Sequence, residues 1–425
     1  MNGHSAERGG VVITGMGVVT SVGTSAAEVM AAMCEGRSGL RRPPEGHPLD
    51  GGLDVAGFSP AIDPVSVLPA PETRVVDRYV VMALQAAADA IGDAGLEVGR
   101  DVDPYRAGVV ISGTGGLATL ETQAIARAQR GRVSVSPYLL PGMLPNMGAA
   151  RVAIKYGIRG YSSSIGTACA AGGQSIAEGV RLIRSGVCDV VVCGCSEAPL
   201  FPTLADTFFN ARALARGWSG DPTGASRPFD RRRNGMVLAE GAGVFVLERV
   251  DHADARGAAG YADIVGWGAT NDAHHPTTPH PDGEGAAECM RRALADAGIA
   301  PSDVGYLNAH GTSTKLGDLA EALAVRRLYG NGGSPPVSAT KAVTGHMLGA
   351  SGMAEAAVTV LALRRGVLPP THNLDDPDPA CELDHVRKAP RRAEIAYAVS
   401  NSFGFGGHNI SLVFGHPSTR LVHAV

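Results

Sequence analysis

The amino-acid sequence predicts an α/β fold made of two similar halves. Short runs rich in β-branched residues alternate with Ala-rich stretches that carry a helical pattern of apolar residues. One such stretch, ACAAGGQSIAEGVRLIRSG (168–186), superposes on a second, GASGMAEAAVTVLALRRG (349–366), at an offset of 180 residues. The composition, 44% hydrophobic and 18% charged, allows the 425-residue chain to bury a large core. These observations exclude an intrinsically disordered chain and indicate sheets covered by helices.

The predicted elements follow one another along the chain in a regular alternation. Apolar runs, beginning with VVITG, predict strands at 10–14, 106–112, 187–193, 243–248, 303–308 and 394–400. Ala-rich stretches between them predict helices at 24–35, 75–94, 170–185, 284–297, 317–329 and 350–365. Two segments rich in Pro, Gly and His, 41–73 and 266–283, are predicted to be long loops, which tend to line a site or an interface.

The repeat predicts where the two halves meet. Each copy begins with small residues, continues as an amphipathic helix and ends at a glycine, Gly186 in one copy and Gly366 in the other. Two unrelated Ala-rich helices would give the same pattern, but the α/β alternation on both sides favours related halves that meet through paired central helices. The segment VFVLERVDHADARG closes the first half, so we predict a division into residues 1–255 and 256–425.

Charge and composition exclude several classes of function. The 37 Lys and Arg against 41 Asp and Glu give a net charge of −4 without a basic block, so no nucleic-acid partner is expected. No apolar run reaches about 18 residues, which argues against a membrane span. The segment MNGHSAERGG lacks an apolar signal core, so we expect a cytoplasmic protein. The seven cysteines include one isolated C-x-C (193–195), so neither a disulfide framework nor a metal site is expected.

Cys169 is the first candidate for a catalytic residue. It lies in SSSIGTACAAGG (162–173), where small residues lead into a predicted helix at about residue 170. The positive end of a helix dipole lowers the pKa of a thiol and favours the reactive thiolate. A small buried cysteine that packs against a helix start is the alternative, and this segment alone does not decide between the two.

Two histidines lie in loops that the repeat directs toward the same centre. His310 ends an apolar strand in YLNAHGTST (306–314), and His346 precedes the second repeated helix in SATKAVTGHMLGASG (338–352). If a pseudo-twofold axis relates the halves, His346 and Cys169 lie at equivalent helix starts. A lone histidine is more often structural, but two that converge on one cysteine favour a catalytic site.

Six motifs, in one order and spacing, span nearly the whole chain. They are VVITGMGVVTSVG (11–23), GTACAAG (166–172), SRPFD (226–230), NAHGTST (308–314), KAVTGH (341–346) and NSFGFGG (401–407). In these motifs the chain resembles the elongating β-ketoacyl-acyl-carrier-protein synthases of the thiolase superfamily, close to the type II enzymes that extend longer acyl chains. The resemblance implies a duplicated thiolase-like fold, with two βαβαβαββ halves in a layered αβαβα arrangement.

The resemblance also implies an activity. Enzymes of this family are acyltransferases that condense an acyl chain with malonyl-acyl-carrier protein, with loss of carbon dioxide, to give 3-oxoacyl-acyl-carrier protein. Cys169 would be the nucleophile that holds the acyl chain. His310 and His346 would bind the malonyl carbonyl and stabilise the enolate, which requires neutral imidazoles that donate N–H. The backbone N–H groups of Cys169 and Phe405 would form the oxyanion hole, and Phe405 would gate the acyl pocket.

Further residues have roles implied by the resemblance alone. Lys341 and Glu321 match a buried pair near the active site, and Thr312 and Thr314 would bind a phosphopantetheine arm. No bound cofactor is implied, because that arm belongs to the acyl carrier protein. Thr114, in SGTGG, matches the position that sets the depth of the acyl pocket; the same segment is no phosphate loop, since no GK[ST] follows.

Partner proteins are implied as well. Acidic carrier proteins require docking cations, and Arg74, Arg78 and Arg212 fall where the family places them. The resemblance further implies a homodimer, or a heterodimer with a chain-length-factor-like subunit, because family members complete the acyl pocket across the interface.

Other members of the superfamily fit the sequence less well. A thiolase would carry a second cysteine as base and a C-terminal CxG where this chain has NSFGFGG (401–407), and an initiating synthase would use a His and Asn pair. A non-catalytic chain-length partner would lack the nucleophile, and Cys169 is present. A fragment of a modular polyketide synthase is disfavoured, since no acyltransferase or carrier segment accompanies the motifs. Fatty acid synthesis and a dedicated polyketide or polyene pathway both remain open.

Overall fold

The computed structural model describes residues 10–330 and 333–421, without the side chains of residues 74, 75, 420 and 421. The strands are β1 (Val11–Val19), β2 (Leu40–Arg41), β3 (Ala56–Gly57), β4 (Ala107–Ser112), β5 (Ser162–Ser163), β6 (Val190–Glu197), β7 (Gly241–Arg249), β8 (Ala262–Asn271), β9 (Val304–Asn308), β10 (Val337–Ser338), β11 (Val367–Leu368), β12 (Arg391–Arg392), β13 (Tyr397–Gly404) and β14 (His408–Gly415). The helices are α1 (Ala26–Glu35), α2 (Arg78–Asp93), α3 (Leu117–Arg130), α4 (Leu139–Met143), α5 (Met147–Tyr156), α6 (Ala171–Arg184), α7 (Pro202–Asn210), α8 (Val250–Ala255), α9 (Glu284–Ala297), α10 (Lys315–Tyr329), α11 (Lys341–Thr344) and α12 (Ser351–Arg365).

Ten strands form one continuous sheet with the same pattern in each half. Their order is β10-β9-β13-β14-β8-β1-β7-β6-β4-β5, so strands 5-4-6-7-1 mirror strands 10-9-13-14-8. In each half four strands run in the same direction, and one strand, β7 or β14, runs antiparallel to them. The halves join at β1 and β8, where Val12 lies opposite Asp263 and Ile13 opposite Ala262.

The order of elements confirms the duplicated thiolase-like fold. The N-terminal half runs β1-α2-β4-α5-β5-α6-β6-β7, and the C-terminal half runs β8-α9-β9-α10-β10-α12-β13-β14. Helices α2 and α5 cover one outer face, α9 and α10 cover the other, and α6 and α12 lie between and contact strands of both halves. These are the five layers of the predicted αβαβα arrangement. The predicted division after residue 255 stays a prediction; α8 ends at Ala255 and β8 begins at Ala262.

The central layer explains the glycines of the repeat. A Cβ on Gly172 of α6 would lie 2.5 Å from the carbonyl oxygen of Gly349, and a Cβ on Gly352 of α12 would lie 2.8 Å from Ser402 Oγ. Only glycine permits that approach without displacement. Each central helix follows a 3₁₀ turn, the Cys169 turn (Ala168–Ala170) before α6 and the Gly349 turn (Leu348–Ala350) before α12. These turns, at the predicted offset of 180 residues, contact each other.

The structure corrects part of the predicted secondary structure. The segment 266–283 was expected to be a loop, but β8 extends to Asn271, and the sequence prediction also omits β14 and helices α3, α4, α5 and α7. Glycines weaken the strand pattern of β8, and packing explains them: a Cβ on Gly266 or Gly268 would lie 2.4 or 2.3 Å from backbone oxygens of α9. Within the described residues, no helix is long and apolar enough to cross a membrane.

Candidate active site

Cys169 is the middle residue of the Cys169 turn, which leads into α6 between the two halves of the sheet. Ala168 has φ of 49°, in the left-handed region that non-glycine residues rarely adopt, and Leu348 has φ of 47° at the equivalent place in the Gly349 turn. Both turns therefore share one strained backbone geometry. The Sγ atom of Cys169 lies 3.2 Å from Nε2 of His346, so the structure brings together two of the predicted site residues.

The Cys169 thiol is neutral in this geometry. Burial raises its pKa to about 12. The positive charge of Lys341 and the backbone N–H groups of Phe405 and Cys169, which are directed at the sulfur, act in the opposite direction. The expectation that the helix start lowers this pKa is therefore wrong for the resting protein, because desolvation outweighs it. The two N–H groups are the same pair that the sequence resemblance assigns to an oxyanion hole.

Contacts with α12 orient the imidazole of His346. Its Nδ1 lies 3.1 Å from Oγ of Ser351, and that oxygen accepts a hydrogen bond of 2.8 Å from the backbone N–H of Met347. The hydroxyl proton of Ser351 is therefore available for Nδ1, which leaves the ring proton on Nε2, facing Cys169. The backbone N–H of His346 donates to the carbonyl of Val237 at 2.7 Å and fixes the loop beneath the ring.

His310 follows β9 and completes the cluster. Its ring centroid lies 5.4 Å from that of His346, with the rings nearly perpendicular at 83°. The Nζ atom of Lys341 lies 3.2 Å from Nδ1 of His310. Because an ammonium can only donate, Nδ1 accepts and the ring proton of His310 sits on Nε2. Burial, with the charge of Lys341, holds the pKa of both histidines well below the ordinary value of 6.5, so both rings are neutral.

Lys341 pairs with a residue that the sequence prediction missed. Its Nζ lies 2.5 Å from Oε1 of Glu355, with both side chains buried, and it also donates to the carbonyl of His310 at 2.5 Å. Lys341 and Glu321 are both buried at the site, as the resemblance implies, but the direct ion pair of Lys341 is with Glu355. Glu321 instead accepts from the backbone N–H groups of His310 at 2.9 Å and Gly311 at 2.8 Å, and so holds the His310 loop.

One signal in the sequence could have identified Glu355. It is the only charged residue of the run SGMAEAAVTVLAL (351–363), and this run is buried throughout in α12. A charge in a buried apolar helix needs a partner, because the desolvation of an unpaired carboxylate is costly. Burial raises the pKa of Glu355 to about 7, against the opposing effect of Lys341.

Phe405 lies at the turn between β13 and β14, at the mouth of the site. Its side chain is 39% exposed, and its ring centroid lies 6.2 Å from that of Phe208 in α7. The preceding Gly404 permits the approach to Cys169, since a Cβ there would lie 3.0 Å from the Cys169 nitrogen. The following Gly406 has φ of 83°, a conformation that favours glycine.

The two predicted pantetheine-binding threonines lie beside each other near His310. Their Oγ1 atoms are 3.0 Å apart, and both Thr312 and Thr314 are half-buried. The Oγ1 atom of Thr314 accepts from the backbone N–H of Gly317 at 3.2 Å, so this threonine also caps α10.

The remaining predicted residues lie apart from the thiol and the imidazoles. Thr114 is exposed at the end of β4, and its hydroxyl donates to Oε2 of Glu197 at 2.6 Å. The guanidinium of Arg78 is held by both carboxylate oxygens of Glu240, at 2.8 Å each, and its docking role stays a prediction. Arg212 is exposed after α7, with φ of 56°. The side chain of Arg74 lies outside the described residues.

The part of the chain that the structure describes offers no metal centre. No group of three or more His, Cys, Asp or Glu side chains among those residues could hold a metal ion. The site itself contains a thiol, two neutral imidazoles, a buried ammonium and two backbone N–H groups.

The fold and this cluster are those of a thiolase-like condensing enzyme, and the comparisons with known proteins agree. The family model described as "Beta-ketoacyl synthase, N-terminal domain" matches residues 9–253, and the corresponding "C-terminal domain" model matches residues 261–375. The chain belongs to the β-ketoacyl synthase family.

Relatives and solved structures span nearly all of the chain. The 3-oxoacyl-[acyl-carrier-protein] synthase 2 of Synechocystis sp. is 40% identical over 410 residues, covering 96% of this chain and 98% of that protein. The protein of the same name from Vibrio harveyi is 41% identical over 407 residues, covering 95% and 98%. A beta-ketoacyl synthase from Burkholderia phymatum superposes with a TM-score of 0.89 at 34% identity, covering 96% and 99%. The ishigamide ketosynthase/chain length factor also superposes with a TM-score of 0.89, at 32% identity, with the same coverage.

Proposed function

We propose that this chain condenses an acyl group held on Cys169 with malonyl-acyl-carrier protein, with loss of carbon dioxide, to give 3-oxoacyl-acyl-carrier protein. One observation carries the proposal: a half-buried thiol lies 3.2 Å from His346, and a second neutral imidazole, His310, lies beside it. The names of the relatives, 3-oxoacyl-[acyl-carrier-protein] synthase 2, support the same reaction.

The first step is transfer of the acyl group. The sulfur of Cys169 attacks the carbonyl carbon of an acyl thioester, the oxyanion is held by the N–H groups of Cys169 and Phe405, and the carrier thiol leaves with the proton that Cys169 gives up. Since the thiol is neutral at rest, this proton must move as the C–S bond forms. Nε2 of His346 already carries the ring proton, so the thiol proton passes from Cys169 to the departing sulfur of the carrier, and Lys341 favours the thiolate electrostatically.

The second step is decarboxylation of the malonyl group. The two histidines, each with a proton on Nε2, donate to the malonyl thioester carbonyl. The electron pair of the breaking C–C bond moves onto that carbonyl as carbon dioxide leaves, and the N–H groups stabilise the resulting enolate. Neutral rings are required, and burial together with Lys341 keeps the pKa of His310 and His346 low.

The third step joins the two carbon chains. The enolate carbon attacks the carbonyl of the acyl-cysteine, and the tetrahedral oxyanion occupies the pocket formed by the N–H groups of Cys169 and Phe405. Collapse of that intermediate breaks the C–S bond and releases the extended 3-oxoacyl chain on its carrier, and the Cys169 thiolate that leaves takes a proton from water to restore the thiol. Lys341, Glu355 and Glu321 hold the charge and geometry of the site without taking part in bond changes.

The carrier protein supplies the only prosthetic group that this reaction needs. Its phosphopantetheine arm is part of the substrate, and Thr312 and Thr314 offer hydroxyls for the amides of that arm, 3.0 Å apart and half-buried. Arg212 is the predicted docking cation whose side chain is exposed, and Arg74 stays a prediction. A ketosynthase of a type II polyketide synthase, which superposes with a TM-score of 0.89, is described in complex with its acyl-carrier protein.

The assembled protein is a dimer in this proposal, either with a second copy or with a chain-length-factor-like subunit, and it works in the cytoplasm. An apolar region along α3 and α4, termed here the α3–α4 surface, supports a partner subunit. Its large exposed apolar side chains are Leu120, Ile125, Val133, Tyr138, Leu140 and Leu144. The division of each subunit after residue 255 belongs to the same proposal.

Mass spectrometry of the purified chain with malonyl-carrier protein and a series of acyl-carrier proteins tests the function. We expect a mass increase on Cys169 equal to the acyl group, followed by a product two carbons longer. A folded protein that takes up the acyl group but forms no longer product would contradict the condensation.

A second candidate is a ketosynthase that works only beside a chain-length factor, and one structure that superposes on this chain is named the ishigamide ketosynthase/chain length factor. In that case the chain alone would neither acylate nor extend, and activity would appear when the partner subunit is added. The preferred acyl chain would then separate a fatty acid role from a polyketide role.

A further inference from the structure

The pseudo-twofold relation gives each part of the active site a counterpart in the other half. Strands β6 and β13 are both eight residues long and both lead into an antiparallel strand, so Glu197, the last residue of β6, corresponds to Gly404. The pairings of β4 with β6 and of β9 with β13 then place Thr114 on Thr312, within the matching tripeptides SGT (112–114) and HGT (310–312). The Gly349 turn corresponds to the Cys169 turn.

The two counterparts are filled differently. Beside the Cys169 turn stands Gly404, whose lack of a side chain leaves space in front of the Cys169 N–H. Beside the Gly349 turn stands the carboxyl of Glu197. Its Oε2 accepts from the N–H of Thr114 at 3.2 Å and from the hydroxyl of Thr114 at 2.6 Å, and the N–H of Gly349 is directed at the same carboxyl. A side chain thus occupies the position that an oxyanion would take in the other half.

Glu197 is an unusual group in its surroundings. It is 1% exposed, and within the described residues its partners are hydrogen-bond donors without charge. A buried carboxyl without a cation is costly, so the donors that surround it call for an explanation. Burial raises its pKa to about 7. The condensation mechanism above does not use this residue.

We propose that Glu197 is a positioning residue for the Cys169 site: its carboxyl fills the counterpart of the oxyanion pocket and fixes the Gly349 turn on which the Cys169 turn rests. The contact between the turns is close, since a Cβ on Gly349 would lie 3.1 Å from the carbonyl oxygen of Ala168 and 2.8 Å from Sγ of Cys195. This inference rests on the proposed function, because it assigns Glu197 to the same site.

The charge of Glu197 reaches the nucleophile. Three titratable groups face it: Cys169 from the Cys169 turn, Cys195 from β6 and Tyr79 from α2, and the ionised carboxylate raises the pKa of each. When Glu197 is ionised it therefore opposes the Cys169 thiolate. When it is protonated it keeps its contacts with Thr114 but no longer has that effect.

The first test follows alkylation of Cys169 by iodoacetamide against pH, which needs no acyl substrate. In Glu197→Gln we expect the pH profile of alkylation to shift to lower pH by about half a unit, because the carboxylate charge that raises the pKa of Cys169 is gone. Near pH 8 this shift makes alkylation about threefold faster. Thr114→Val removes one hydrogen-bond donor from the carboxyl of Glu197. It should shift the pH profile of alkylation in the same direction, by a smaller amount. Glu178→Gln, a half-buried position on α6 where the carboxylate is paired with Arg181, is the matched control and should match the wild type.

The second test is chemical rescue. Glu197→Ala leaves the N–H of Gly349 and the donors of Thr114 without a partner, so acylation of Cys169 from an acyl thioester should slow at least tenfold. Added formate or acetate should restore the rate with saturation, because a small carboxylate fits the vacated donors. Sodium chloride at equal ionic strength, and the same additions to Glu178→Ala, control for salt effects.

Two results would overturn the proposal: a Glu197→Gln profile that coincides with the wild type, or a Glu197→Ala defect that no carboxylate relieves. If Glu197→Ala does not fold, the Glu197→Gln and Thr114→Val profiles decide. Because alkylation is measured without substrate, a chain that fails to condense acyl groups would still answer this question.

Discussion

The proposed catalytic cluster combines residues from three sequence motifs, and each motif predicts a different residue of it. Cys169, His310 and His346 could be recognised from sequence because each lies in a local Gly-rich pattern at the end of a strand or the start of a helix. Their charge states could not, because these depend on burial and on Lys341. The partner of Lys341 was missed for the same reason, since only the folded chain brings Glu355 beside it.

The separate roles of thiol and imidazoles predict the effect of Cys169→Gln. Extension of an acyl chain should fall by a factor of about a thousand or more, because the acyl group has no attachment point. Decarboxylation of malonyl-carrier protein to acetyl-carrier protein should persist, since His310 and His346 remain. Mass spectrometry of the carrier measures both, and Cys34→Ser, a half-buried thiol on α1, is the matched control. Loss of both activities in a folded variant would contradict the separation.

The neutral histidines predict a pH dependence for that decarboxylation. Burial lowers the pKa of His310 and His346, so each ring stays neutral as the pH falls through 6.5 and gains a proton only well below it. The rate of carbon dioxide release by Cys169→Gln should therefore be level between pH 8 and pH 6. A decline with a midpoint near 6.5 would show that one ring has its ordinary pKa and would argue against this role.

At the scale of elements, the two repeated helices, α6 and α12, could be predicted from the sequence, whereas strands such as β8 could not. The small-residue starts and glycine stops of α6 and α12 are local signals. In β8, Gly266 and Gly268 interrupt the apolar pattern that predicts a strand. Glycine is needed there because the backbone of α9 lies too close for a side chain, and the sequence of β8 alone does not show that contact. The strand prediction therefore failed where the choice of residue depends on packing against an element distant in the sequence.

The close contact of the central helices predicts opposite effects for one substitution at two sites. Gly172→Ala should lower the free energy of unfolding by about 1–3 kcal/mol, because its Cβ would lie 2.5 Å from the backbone oxygen of Gly349. Gly92→Ala, in α2 with open space around it, should raise it by about 0.5–1 kcal/mol through helix propensity. Urea unfolding measures both. Equal effects at the two positions would mean that the central helices have room to separate.

At the scale of the whole molecule, duplication places the active site between the halves. The N-terminal half supplies Cys169, the C-terminal half supplies His310 and His346, and the site therefore exists only where α6 and α12 meet. The duplicated architecture was predictable because the repeat recurs at a fixed offset. From the sequence the oligomeric state was implied only by resemblance, because the exposed apolar side chains of α3 and α4 come together only in the folded chain.

The α3–α4 surface predicts dimerisation. In Leu140→Asp the partner subunit would have to bury a carboxylate, so the subunits should dissociate at micromolar concentration, which analytical ultracentrifugation measures. Tyr105→Asp changes an equally exposed apolar residue outside this surface and should leave the assembly unchanged. A wild-type monomer under the same conditions would count against the proposed dimer.

The edges of the large sheet have a consequence for how the protein behaves at high concentration. Ten strands make a wide array of backbone hydrogen bonds, yet both outermost strands, β5 and β10, have only two residues. Unpaired N–H and C=O groups at a sheet edge are templates for aggregation, and a two-residue edge offers very few of them. The broad, apolar sheet therefore exposes few unpaired backbone groups at its two edges. Neighbouring molecules have few sites at which to add a strand, even at high concentration.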